Sequence, residues 1–101
     1  MEITKNAKGN TTTLALQGRL DTVTSTQLAN ELSVVFEGGA VDLVFDFAAL
    51  EYISSAGLRV VLTAQKKVNA LGTEMKIIGA NESVREIFDI TGFSGIISIN
   101  N

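Results

Sequence analysis

Ser54 and Ser55 stand side by side in Ile53-Ser54-Ser55-Ala56-Gly57, between an apolar run that reads as a strand and a periodic stretch that reads as a helix. A serine at such a junction can do two things. Its hydroxyl oxygen can accept a hydrogen bond from an otherwise unpaired amide of the first helical turn, which makes it an N-cap. It can also carry a phosphate, because a helix N-terminus gathers free N–H groups and a partial positive charge that hold an anion.

The pair must be positioned by its flanking elements. Val41, Leu43, Val44, Phe45 and Phe47 form a short apolar run after Gly38-Gly39, interrupted only by Asp42 and Asp46. Such a run predicts a strand covered on both faces, with Asp46 at its end as a structural hydrogen-bonding carboxylate. Leu58, Val61, Leu62 and Val68 recur at helical spacing, while Arg59, Gln65, Lys66 and Lys67 supply a polar side. Residues 53–57 then form the turn, and Gly57 leaves room for the close approach of another backbone or a partner.

The remaining elements follow in order. Residues 2–6 and Thr11 to Gln17 predict a hairpin turned by Lys8-Gly9-Asn10, with Gly18 ending its second strand. Thr24-Ser25-Thr26-Gln27 has capping-box spacing, and Leu28, Leu32, Val35 and Phe36 give the next helix an apolar face that Gly38-Gly39 terminates. Glu74 to Ile78 predicts a strand, Asn81 caps a third helix carrying Val84, Ile87 and Phe88, and Phe93 to Ile99 closes with a short strand. The expected architecture is a single α/β domain over residues 1–101, with a mixed sheet made of an N-terminal hairpin and βα units and with three main helices. In such a sheet the loops after parallel strands gather on one edge, where open α/β folds place their sites. Gly18 to Thr22, Ser54 to Gly57 and Gly79 to Asn81 fall there.

Asp46-Phe47-Ala48-Ala49-Leu50-Glu51-Tyr52-Ile53-Ser54-Ser55-Ala56-Gly57-Leu58 resembles the signature of the STAS domain of bacterial anti-sigma factor antagonists. Gly18-Arg19-Leu20-Asp21 resembles that family's Gly-x-Leu-Asp segment at the family's usual separation, and the likeness covers essentially the whole chain. The resemblance implies a regulatory protein that binds an anti-sigma factor which is also a serine kinase. It implies that phosphorylation of one loop serine ends the binding and that a serine phosphatase restores it. Anchored on Gly57-Leu58, the family's Asp-Ser-Ser/Thr-Gly-Leu falls on Ser54-Ser55-Ala56-Gly57-Leu58, which assigns the phosphoacceptor to Ser55 and leaves Ser54 as the substitute. Ser54 replaces the family's acidic residue, which removes a recognition charge for the kinase, and Ala56 replaces a hydroxyl residue. The implied partner surface comprises Asp21, Thr22, Ser54, Ser55, Ala56, Gly57 and Arg59. A second reading keeps the fold and drops the switch, as a constitutive STAS accessory subunit of a lipid-transport or signalling complex.

Composition narrows the remaining classes. The 101 residues are 46% hydrophobic and 19% charged, as in a compact folded domain. A net charge of −3 without a basic cluster argues against direct contact with nucleic acid, so an effect on transcription must pass through a protein. Without cysteine or histidine there is no disulfide, thiol catalysis or Cys/His zinc site, and a serine hydrolase would lack its usual base. No Walker-type glycine-lysine loop is present, so the chain is expected to be no enzyme and to carry no cofactor or metal of its own. Any ATP in the proposed cycle belongs to the kinase. No signal-peptide layout or membrane-length apolar run is seen, which makes the expected location cytoplasmic without membrane insertion. Shared exposed apolar surface would allow a dimer.

Overall fold

The computed structural model describes residues 1–100. Strands β1 (Glu2–Lys8) and β2 (Thr11–Leu20) form the expected antiparallel hairpin, in register from Glu2 opposite Gln17 to Lys8 opposite Thr11. There follow α1 (Thr22–Glu37), β3 (Asp42–Ile53), α2 (Ser55–Leu71), β4 (Met75–Ile78), α3 (Glu82–Thr91), a 3-10 turn at Phe93–Gly95 and β5 (Ser98–Asn100). The five strands lie in the order β1-β2-β3-β4-β5, with every neighbour pair after the hairpin parallel. This is the expected mixed α/β sheet with three main helices. The last segment differs in part, since the 3-10 turn takes the residues expected to open the final strand.

The core lies on one side of the sheet. Leu14, Leu16 and Leu20 of β2, Leu43, Phe45 and Phe47 of β3, and Met75 and Ile77 of β4 are buried against Leu28, Leu32 and Val35 of α1, Leu58, Val61 and Val68 of α2, and Val84 and Phe88 of α3. The alternate residues Thr13, Val44, Asp46 and Ile78 are only half-buried, and Lys76 is exposed. β3 is therefore covered on one face, not on both. The alternation Asp42-Leu43-Val44-Phe45-Asp46-Phe47 is that of a strand with one wet face, and β-branched Val44 fits the open face as well as a buried one. Lys5, opposite Leu14 in the register, reaches Glu31 of α1 at 3.2 Å, a partly exposed ion pair that adds little stability.

β3 also runs further than its apolar run. Its pairing with β2 steps from Ala15–Asp46 to Gln17–Ala49 and from Gly18–Leu50 to Arg19–Tyr52, so β3 carries one extra residue at each step. Extra residues of this kind are β-bulges, which bend a strand and raise its twist. Burial accordingly slips from every second residue through Phe47 to every third at Leu50 and Ile53. Asp46 is inside the strand rather than at its end, and its Oδ1 accepts from the Ala48 amide at 2.9 Å, beside the first bulge. Gly18, expected to end β2, instead sits within it at φ 105° opposite the second bulge, and the strand continues to Leu20.

Candidate functional site

The end of β2 and the bulged end of β3 bring the expected loops together. The Ser54 amide donates to the Leu20 carbonyl at 2.8 Å, continuing the β2–β3 pairing one residue past β3. The Asn81 side chain donates to the Leu50 carbonyl at 3.0 Å and accepts from the Val84 amide at 2.8 Å, fastening the start of α3 to the same edge as its expected cap. Gly79 is at φ 73°, and a Cβ there would stand 3.0 Å from the Ala48 amide nitrogen. All three loops therefore share one rim of the sheet.

The turn between β3 and α2 is a single residue, shorter than the expected turn over 53–57. Ser54 is extended (φ −91°, ψ 172°), half-buried, and accepts from the Gly57 amide at 3.1 Å. It is the N-cap. Ser55 is the first helical residue and is exposed, and among the described residues its hydroxyl makes no hydrogen bond. The two uses open to a serine at this junction are thus divided between neighbours. Ala56 follows half-buried, and Arg59, one helical turn beyond Ser55, is exposed.

Gly57 is buried, and the space beside it is taken by the domain's own side chains rather than by another backbone or a partner. A Cβ there would lie 2.7 Å from Leu20 Cγ and 3.0 Å from Ile53 Cγ1. The contact seats the first turn of α2 on the ends of β2 and β3, which fixes where Ser55 points. Gly57→Ala is expected to destabilise the domain by ~1 to 3 kcal/mol through overpacking. The check is a lower urea midpoint at unchanged slope.

Asp21 is the N-cap of α1, three residues before the cap that Thr24-Ser25-Thr26-Gln27 suggested. Its carboxylate accepts from the Val23 amide at 3.0 Å and the Thr24 amide at 2.9 Å, while the Asp21 amide donates to Thr24 Oγ1 at 2.8 Å. Thr24 thus closes the capping box from the N3 position, with Thr22 exposed at the helix start. The Thr24 amide and hydroxyl hold the Asp21 carboxyl below the usual carboxylate range, so it stays ionised at neutral pH.

One pairing on this rim was not foreseen from the sequence. Arg19 and Tyr52, register partners at the ends of β2 and β3, form a cation–π pair with the guanidinium carbon 4.3 Å from the ring centroid. They lie 33 positions apart in the chain and meet only through the second bulge, so no local pattern announces them. Val23, 81% exposed in the first turn of α1, adds an apolar group to the same rim. Among the described residues no three His, Cys, Asp or Glu side chains converge as a metal site, and no helix is long and apolar enough to cross a membrane. The rim offers a free hydroxyl, a helix N-terminus, an ionised carboxylate and a stacked arginine.

The family model of the STAS domain matches residues 2–101. The chain is a STAS-domain protein. It is 38% identical over 86 residues to BtrV of Bordetella bronchiseptica, a candidate anti-sigma factor antagonist, an alignment spanning 85% of this chain and 74% of that protein. The fold of this STAS domain superposes on the anti-sigma factor antagonist SpoIIAA in its unphosphorylated form with a TM-score of 0.85 at 20% identity, covering 99% of this chain and 89% of the other. Against the phosphorylated form of the Bacillus protein SpoIIAA the TM-score is 0.78 at 20% identity, covering 99% and 92% of the two chains.

Proposed function

We propose that this STAS domain is an anti-sigma factor antagonist that docks on an anti-sigma factor with serine-kinase activity and is released when Ser55 is phosphorylated. Its docking edge is the rim carrying Asp21, Thr22, Ser54, Ser55, Ala56 and Arg59, with Gly57 seating the turn beneath them. A serine phosphatase returns the chain to its binding state. The protein works in the cytoplasm, acts on transcription through its partner, and is a substrate rather than an enzyme.

The observation that carries this reading is the division of labour between the two serines. A kinase must reach the hydroxyl it modifies, and Ser55 is exposed and free, whereas the Ser54 oxygen is engaged with the Gly57 amide. The likeness to BtrV, whose name makes it a candidate antagonist, supports the same role.

The test exchanges the serines one at a time. Ser54→Ala removes a cap and is expected to cost the domain about 1 kcal/mol while phosphate is still accepted. Ser55→Ala is expected to leave thermal stability nearly unchanged and abolish phosphorylation by the host's anti-sigma kinase. Phosphate incorporation, read by intact mass, checks both. Labelling that survives Ser55→Ala and disappears with Ser54→Ala would move the switch to Ser54.

A further inference from the structure

The helical layer leaves a groove of about 630 Å³ between α1 and α2, on the side away from the sheet. Its floor is apolar. Leu32 and Ala64 are buried there, Phe36 and Val60 are partly buried, and the short side chains of Ala29 and Ser33 leave the space above them unfilled. The α2 rim is cationic, with exposed Arg59 and Lys67 eight residues apart, or about 12 Å along a helix. Glu37, on the α1 side, is the acidic group of the lining.

The same chain presents a surface of opposite character on α3. Glu82, Glu86 and Asp89 are exposed at intervals of four and three residues, which places them on one helical stripe about 10 Å long, with the half-buried Arg85 as the one cation along its flank. Ile90, four residues after Glu86, is 76% exposed, and Ile96 beyond the 3-10 turn is 57% exposed. A large aliphatic side chain left in water beside an acidic ridge matches an apolar trough with a cationic rim in both chemistry and length. Glu37 would repel an acidic ridge entering from the α1 side, which favours its carboxylates on the side of Arg59 and Lys67.

We propose that the α1–α2 groove receives the α3 ridge of a second copy of this chain, with Ile90 in the trough and the Glu82 and Asp89 carboxylates, at the two ends of the ridge, on the Arg59 and Lys67 rim. Groove and ridge are different surfaces, so the contact is head-to-tail, and a pair leaves the groove of one copy and the ridge of the other free for further copies. The ion pairs are exposed and screened by salt, which makes the association weak and dependent on ionic strength. Arg59 also belongs to the proposed docking edge. Self-association and partner docking therefore compete for it, and the chain restrains its own binding as its concentration rises.

Sedimentation velocity on the unmodified recombinant chain tests this without any kinase or partner. The wild-type weight-average mass is expected to climb above that of the monomer in the high-micromolar range and to fall back when salt is raised. Thr63→Trp fills the groove and Ile90→Arg disables the ridge, both at exposed positions. Each variant alone is expected to stay monomeric with an unchanged circular dichroism spectrum. Mixed in equal amounts, they are expected to form a complex of twice the monomer mass that grows no further, since only one complementary pair of faces remains. A wild-type chain monomeric at every concentration would leave the groove to a different protein and overturn the proposal. Dimers formed by Ile90→Arg alone would also overturn it, because they would require a different contact.

Discussion

Phosphate on Ser55 is expected to weaken docking on the anti-sigma kinase about a hundredfold or more while leaving the fold of the free STAS domain intact. A hundredfold loss corresponds to ~2.7 kcal/mol. Within the domain the new group meets a helix N-terminus, where its attraction is worth only ~0.3 to 1 kcal/mol and is favourable. The Ser54 hydroxyl already satisfies the Gly57 amide, so a phosphate on Ser55 does not displace the cap. The added charge of about −1.5 to −2 must therefore act across the interface, by repulsion, desolvation or exclusion of the partner. Calorimetry of unmodified and phosphorylated chains against the kinase, with melting curves of each alone, separates the effects. Equal affinities for the two forms would contradict the switch, and a large fall in melting temperature would place it in the fold instead.

The second large effect is expected at Phe47. Its ring is fully buried, 5.7 Å from the Phe45 centroid and 6.4 Å from that of Phe88, and ties β3 to α3 at the first bulge. Phe47→Ala is expected to destabilise the domain by ~3 to 5 kcal/mol, the usual cost of emptying a buried aromatic site. Small domains are stable by only about 5 to 15 kcal/mol, so much of the chain's stability is at stake. Val44, on the open face of the same strand, supplies the control, and Val44→Ala is expected to cost less than half as much. Urea unfolding of the two variants is the measurement. Comparable losses would mean that the second face is also covered.

The alternation through β3 was written in the sequence more clearly than the expectation of a doubly covered strand allowed. Asp42 and Asp46 share the phase of Val44, while Leu43, Phe45 and Phe47 share the other. The hairpin, the third-helix cap at Asn81, the stop at Gly38-Gly39 and the gathering of three loops on one rim were legible because each depends on local patterning or on the parallel order of the strands. The strand beyond Phe47 was not, because two extra residues break the period of two and leave Ala48 and Ala49 exposed in succession. The start of α1 was misplaced for a related reason. Thr24 looked like a cap, yet it serves Asp21 from the N3 position, and both Asp-x-x-Thr and Thr-x-x-Gln are reasonable capping spacings. At the site itself, adjacent serines carry no mark of which one caps. That distinction came from the short turn, which spends Ser54 on the Gly57 amide and leaves Ser55 free.

Phosphosite mapping by mass spectrometry, on the protein recovered from its own host under several growth conditions, tests the central claim most directly. Phosphate is expected on Ser55 at an occupancy that changes with condition, with Ser54 unmodified. Persistent absence of phosphate from both serines, in a chain found bound to a transport complex, would contradict it and make this STAS domain a constitutive subunit.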